Sequence, residues 1–373
     1  MSKKKVLHAA MMRVHASGVI NQMSWEQESA NKYGLSWDVA IFTNQPSVAS
    51  SAVAHLHPDL KPDEKGLFNK INNYVSFRKN YYRWLLEKIR DVDVVILRHS
   101  TCDPFQILFI RRVNKPVYVV HHTHEISEIF NSGGFFGALR AFVELILNPI
   151  NNYFSSGFIG VTREIVDLRT FPSSIKEDGL YEYPNGILFD STKKAELDQY
   201  CLDGDKPKFL FVASSFSEWH GLDLLLIEAI HSDKDFELHI VGEVNKEDRI
   251  TASKDERIFL HGHLKEAQLK ELTDRCEIGL SSFALFRNSI KQACTLKTRE
   301  YLANGLPVYS GHTDVFPPNF CYFRSGKVSI NDMIEYRNSF SQVKRAQVRD
   351  SSMPYIDKEH FVNDLYRWLN EKQ

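Results

Sequence analysis

The sequence has no stretch of 18 or so uninterrupted apolar residues, so no part of it is built to cross a bilayer as a helix. It also has no Cys-x-x-Cys spacing: Cys102, Cys201, Cys276, Cys294 and Cys321 are scattered, and no secretory leader pattern precedes them. This excludes zinc ribbons and disulfide scaffolds, and a reducing, cytoplasmic setting is expected. Charge of one sign is not in excess. The 46 Lys and Arg balance 47 Asp and Glu, with 21 basic and 18 acidic residues in 1–185 and 25 and 29 in the rest. Neither half has the basic surplus of a nucleic-acid binder, and no nucleic-acid partner is expected. The dinucleotide fingerprint Gly-x-Gly-x-x-Gly and the zinc-peptidase run His-Glu-x-x-His are both missing, which argues against nicotinamide, flavin and zinc-peptidase chemistry.

What is present is an ordinary globular composition over 373 residues, 43% hydrophobic and 25% charged, enough for two cores. Short apolar runs alternate with longer amphipathic segments. Val6–Ala10, Trp37–Phe42, Val92–Leu97, Val117–Val120 and Gly157–Val161 come first; Phe209–Ala213, Glu237–Val241, Ile258–Leu260, Ile278–Leu280 and Pro307–Tyr309 repeat the pattern. The alternation predicts parallel strands with helical crossovers, hence two doubly wound α/β domains. Tyr183-Pro184-Asn185-Gly186-Ile187 supplies turn residues for a linker. The expected division is 1–185, 186–350 and a C-terminal helix in 351–373. That helix has the apolar stripe Phe361, Leu365, Trp368 and Leu369, able to pack back on the N-terminal domain.

Ligands of open α/β sheets bind beyond the carboxyl ends of the strands. The segment from Thr295 to Val308 reads there as a helix capped by Thr295, closed by Asn304-Gly305 and followed by a strand from Pro307. Its amino end suits a phosphate, with Lys297 and Thr298 in the first turn, and Glu300 can accept hydrogen bonds from the paired hydroxyls of a ribose. A solvated helix bearing a surface carboxylate fits the spacing equally well.

This segment resembles the signature of the GT-B glycosyltransferases of family 4, in which two Glu residues seven positions apart precede Ala-x-Gly-x-Pro-Val. The resemblance implies a GT-B fold: two Rossmann-like domains facing a central cleft, the N-terminal one on the acceptor side, the C-terminal one binding the nucleotide-sugar. The second Glu, which holds the ribose, maps onto Glu300; the first, which contacts the donor sugar, maps onto Gln292. Gln keeps hydrogen-bonding capacity and loses the charge that helps an oxocarbenium-like transition state. Backbone amides around Ala293–Lys297 are expected to hold sugar and diphosphate.

Phe209–Ile230 resembles the loop that opens the donor domain of the same family. Its usual Arg and Lys, which neutralise the diphosphate, are replaced by Ser215 and His220; His220 supplies a cation if a diphosphate raises its pKa. Lys291, Lys297 and Arg287 are candidates for the missing charge. Gly242 and His263, in turns after two strands, match loops that border the base in similar enzymes, and Gly18 matches the turn that faces diphosphate and acceptor.

The run His121-His122-Thr123-His124-Glu125 closes a strand. Adjacent His121 and His122 point apart on a strand, a poor zinc arrangement. The resemblance instead matches His124 to the histidine beside the donor sugar, with Glu125 and Glu128 near it. Asp91/Asp93, Asp203/Asp205 and Asp233/Asp235 are Asp-x-Asp pairs that read as accidents of a charged chain, so no metal and no other cofactor is expected. Residues 77–90, basic and aromatic, and 133–154, with Phe135-Phe136 and an apolar stretch, are the candidates for peripheral membrane contact. For 77–90 a core-packed helix with a cationic outer face is the favoured alternative.

The resemblance implies a metal-independent, retaining transferase that moves a sugar from a nucleotide-sugar donor to a saccharide or lipid-linked saccharide in polysaccharide biosynthesis of the capsule or lipopolysaccharide kind. Its place would be the cytoplasm, at the inner face of the membrane. A GT-B sugar-nucleotide epimerase is the first rival. The departures at Gln292, Ser215 and His220 support a second, a non-catalytic partner subunit.

Overall fold

The computed structural model describes residues 3–48, 51–57, 67–131, 134–170, 177–189 and 206–372. Cys201, Asp203/Asp205, Gly133 and the Glu128 side chain lie outside the described residues. The chain divides into two units, Met1–Pro184 with Lys358–Gln373, and Asn185–Asp357.

The first unit runs β1 (Val6–Met12), α1 (Ser17–Lys32), β2 (Trp37–Thr43), β3 (Ala54–Leu56), α2 (Leu67–Lys88), β4 (Val94–Arg98), α3 (Pro104–Arg112), β5 (Val117–His121), α4 (Glu125–Asn131), α5 (Gly134–Phe154), β6 (Gly157–Gly160), α6 (Arg163–Thr170) and β7 (Leu180–Glu182). Its strands pair in parallel in the order β3-β2-β1-β4-β5-β6-β7. Strand alternation splits the core in two. Val6, Ala10, Trp37, Ile41, Ile96 and Val120 face one way, and Leu7, Ala9, Phe42, Val95, Leu97 and Val119 face the other, where Phe77, Tyr81 and Leu85 of α2 cover them. The apolar residues of 77–90 therefore pack on the core, Trp84 and Leu86 only partly buried, and the exposed side chains are Lys79, Arg83, Glu87, Lys88 and Arg90.

The second unit runs β8 (Lys208–Ser215), α7 (Leu222–His231), β9 (Glu237–Glu243), α8 (Lys246–Ala252), β10 (Ile258–Leu260), α9 (Glu266–Arg275), β11 (Ile278–Leu280), α10 (Leu296–Ala303), β12 (Val308–Ser310), β13 (Phe323–Ser325), α11 (Ile330–Asn338) and α12 (Arg345–Ile356). Its parallel sheet has the order β10-β9-β8-β11-β12-β13. At the carboxyl end of β9, Gly242 has φ +126°, and a Cβ there would collide with the Ala213 carbonyl oxygen, so only glycine lets β9 close on β8.

Expected to begin at 351, the last segment instead changes unit at Asp357. Residues up to Ile356 complete α12, and the chain then enters α13 (Lys358–Glu371). Val362, Leu365, Tyr366 and Leu369 of α13 join the core of the first unit, and Trp368 packs its ring on Tyr118 and Tyr181.

Candidate functional site

In the second sheet the chain lays down β8, β9 and β10, then crosses to β11 on the other side of β8. A crevice for ligands opens beyond the carboxyl ends of the strands at such a reversal. Ser215 ends β8 there and is exposed. Ser281 and Ser282 follow β11, Gly311 to Thr313 follow β12, and the amino end of α10 arrives at the same edge.

A chain of hydroxyls fixes that helix end. Thr295 caps α10 by accepting the Thr298 amide at 3.3 Å, and its hydroxyl lies 2.8 Å from that of Thr298. The Ser281 hydroxyl is 3.5 Å from both and 3.1 Å from His312 Nε2. His312 Nδ1 donates to the Thr313 carbonyl at 2.8 Å, so Nε2 must accept the Ser281 proton. Burial pushes the His312 pKa down, which keeps this imidazole neutral. Thr298 is fully buried, so it anchors the helix start from within and does not itself reach a ligand. Ser281 and His312 were not picked out in the sequence, although they lie one and two residues after strand ends, and that position is the signal that finds them.

Glu300 is half-buried one turn into α10, its Oε2 2.7 Å from Lys297 Nζ. Lys297, expected to neutralise a diphosphate, here neutralises Glu300. Gln292 forms a bridge to Thr313, and its Nε2 donates to the Asp314 carbonyl at 3.3 Å. A glutamate at 292 would set a carboxylate against that carbonyl, a physical reason for the amide. The Ala293 amide, expected to hold a ligand, is spent on the Thr313 carbonyl at 3.0 Å. Lys291 is exposed beside it, its own carbonyl accepting from the Thr313 amide at 3.1 Å.

Two of the candidates for positive charge are already engaged in the protein alone. His220 accepts the Ser217 amide at Nδ1, 2.9 Å, stacks on Trp219 with ring centres 3.6 Å apart, and is pushed down to about 4 by burial. It is neutral in the protein alone, a capping residue with Nε2–H left to donate. Arg287 forms a two-pronged pair with Asp223 at 2.9 and 2.7 Å and donates to the Glu218 carbonyl, so its charge is already used. His263 is exposed after the edge strand β10, two strands from β8. Gly242 serves strand closure as described.

In the first unit the order reverses between β1 and β4. Gly18 sits in the first turn of α1, not in the turn before it. His124 Nδ1 lies 2.6 Å from the Ser127 hydroxyl at the start of α4. As strand alternation requires, His121 and His122 diverge. His122 Nε2 is buried, and its pKa is driven far down by burial and by Arg98, His8 and Lys358. His121 meets Glu125 at 3.0 Å, and its ring centre is 4.5 Å from that of His99, which pairs with Glu144 at 2.7 Å. Among the described residues, His99, His121 and Glu125 are the group able to hold a metal ion, with ligand atoms within 4.8 Å of one another. Each of the two imidazoles also pairs with a carboxylate. Asp91/Asp93 and Asp233/Asp235 precede β4 and β9 at the amino ends, opposite the ligand edge; Asp93 accepts the Lys5 amide at 2.7 Å and Asp235 pairs with Lys206 at 2.7 Å.

By sequence, no family model matches the chain and no curated protein does. By structure it is similar to a glycosyltransferase from Rickettsia africae at TM-score 0.62 and 13% identity, covering 99% of this chain and 100% of that one. It is similar to Anabaena HepE in complex with UDP and glucose at TM-score 0.63 and 13% identity, covering 98% and 100%. The chain has the GT-B fold. A UDP-GlcNAc 2-epimerase from Neisseria meningitidis bound to UDP-GlcNAc matches at TM-score 0.53 and 15% identity, covering 98% and 100%. These identities establish the GT-B fold and leave activity to the site.

Proposed function

We propose that the protein is a retaining, metal-independent glycosyltransferase that moves a sugar from a nucleotide-sugar donor to a saccharide or lipid-linked saccharide in polysaccharide biosynthesis. The observation that carries this reading is the capped start of α10 at the strand-order reversal, with Glu300 and Lys297 paired at 2.7 Å one turn in. A ribose diol would take Glu300 from Lys297, and the released ammonium would meet the diphosphate, so donor binding exchanges one ion pair for another. Gln292 and His220 Nε2–H add neutral donors for sugar and diphosphate. His124 helps position sugar and acceptor. The resemblance to HepE with UDP and glucose supports a UDP-sugar as the first donor to try.

Calorimetry with a panel of nucleotide diphosphates and their sugars, with and without a divalent ion, tests the assignment. Metal-independent micromolar binding of one nucleotide family is expected. Glu300→Ala should weaken it about 10- to 100-fold, since hydrogen bonds to a charged group are worth about 1.5–3 kcal/mol. Unchanged affinity would remove Glu300 from the site, and no binding by the wild type would favour the non-catalytic partner. The similarity to the epimerase supports a second reading. Conversion of the sugar-nucleotide without any acceptor would select it.

A further inference from the structure

Helix α5 is folded inside out. Its buried face carries Gly137, Ala141, Glu144, Asn148, Asn151 and Asn152, spaced at three and four residues. Glu144 anchors that face, accepting from His99 Nε2 at 2.7 Å and from the Cys102 amide at 2.6 Å. The opposite face presents Phe135, Phe136, Leu139, Phe142, Ile146 and Tyr153 to solvent, with Phe135 79%, Phe136 71% and Tyr153 67% exposed. Water-soluble helices turn these faces the other way. Large contiguous apolar surface of this kind marks a binding face.

Its surroundings identify what covers it. The exposed face of α5 has Arg140 and no carboxylate, and the neighbouring α3 exposes Leu108, Arg111 and Arg112, again with no carboxylate. Arg111 lies over the Phe154 ring at 4.9 Å, at the edge of the apolar face. A groove beside α3 is lined by four cations, Lys79, Arg83, Arg90 and Arg112, against one carboxylate, Glu87, the rest of its wall being apolar or aromatic. A second copy meeting this patch about a two-fold axis would gather the arginines of both copies into one interface, with no exposed carboxylate of α3 or α5 to pair them. An anionic headgroup layer neutralises them while the acyl boundary takes the aromatic rings. No helix among the described residues is long and apolar enough to cross a membrane. We infer that α5, flanked by the arginines of α3, docks the protein in the plane of an anionic lipid bilayer, with its apolar face in the headgroup–acyl boundary. The inference rests on the surface of the first unit and does not depend on the donor assignment.

Flotation of the full chain with phosphatidylcholine vesicles, with and without phosphatidylglycerol, tests it. The protein should float with the anionic vesicles and fall away as salt rises. The triple variant Phe135→Ser, Phe136→Ser, Phe142→Ser should lower vesicle partition by about tenfold or more at unchanged Tm, because the removed rings are solvent-exposed. Arg111→Gln with Arg140→Gln should remove the preference for phosphatidylglycerol. Absence of flotation, flotation unaltered in the triple variant, or a dimer that the triple variant dissolves without any vesicle binding would each overturn the proposal. Nucleotide calorimetry on the same samples reads the donor site separately.

Discussion

Asp314→Ala should destabilise the second unit by about 3–5 kcal/mol, the usual cost of stripping one partner from a buried ion pair. Arg299 and Asp314 are both buried and meet in two bonds of 2.6 Å each. Arg299 also lies over the Phe316 ring at 4.9 Å and donates to the Thr295 carbonyl at 3.3 Å. Burial works against its charge, but the Asp314 carboxylate more than reverses this and raises the arginine pKa. With Asp314 gone, the guanidinium stays buried with no anion. The pair ties α10 to the loop after β12, whose Thr313 and Asp314 hold Gln292 and Ala293. Donor affinity should therefore fall with stability. Urea denaturation of Asp314→Ala and of the double variant Arg299→Met/Asp314→Leu separates the terms. The double variant should recover most of the loss, since well-packed apolar residues often replace a buried pair at little cost. A loss below about 1 kcal/mol in Asp314→Ala would mean that Arg299 finds water instead.

The first unit should weaken in acid through Glu26. This buried carboxylate takes His8 Nδ1 at 2.7 Å, Trp37 Nε1 at 3.0 Å and the Tyr183 hydroxyl at 2.9 Å, with Lys358 Nζ at 3.7 Å. Burial alone would raise its pKa, but His8, Lys358 and Tyr183 together lower it from 4.5 to about 2. A carboxylate depressed on folding contributes its full stabilisation above its unfolded pKa and loses it as pH falls through the folded one. The window is thus from 4.5 down to about 2, and the loss across it is about 3 kcal/mol at roughly 1.4 kcal/mol per unit. Glu26→Gln keeps acceptors for Trp37 and Tyr183 but leaves Lys358 without its counter-charge. It should be the less stable protein at pH 6, with the gap closing toward pH 2. Denaturation curves at several pH values check this, and parallel pH slopes for the two proteins would refute it.

The interior strands were legible because a parallel strand buried on both faces must be a continuous apolar run, as Val117–Val120 and Phe209–Ala213 are. The edge strands Ala54–Leu56 and Phe323–Ser325 are partly exposed and carry no such run, so nothing in their composition marked them. At the candidate site, Thr295 and its helix could be read because capping is local chemistry. Ser281 and His312 could not be joined in advance: they are 31 residues apart and meet only because β11 and β12 are neighbours. The same holds for Arg287, whose charge reads as available until Asp223, 64 residues away, is placed beside it. For α5 the sequence showed Phe135-Phe136 and an apolar stretch, and a run of apolar residues does not tell which side faces inward; the buried His99–Glu144 pair does.

The placement of α13 bears on how the chain is made. Lys4 binds Asn370 at 2.8 Å through its amide and the Tyr366 hydroxyl at 3.0 Å through its carbonyl, so the entry to the first strand is closed by the last helix. A ribosome delivers residues 185–357 between these two pieces, which at about 5–20 residues per second takes roughly 10–35 s. For that interval the nascent first unit shows an uncovered apolar floor around Tyr118, Ile96 and Trp37, while the second unit has all it needs to fold at once. The part synthesised first is thus finished only after the second unit has been made, and it is the part that a stop before residue 358 would leave open.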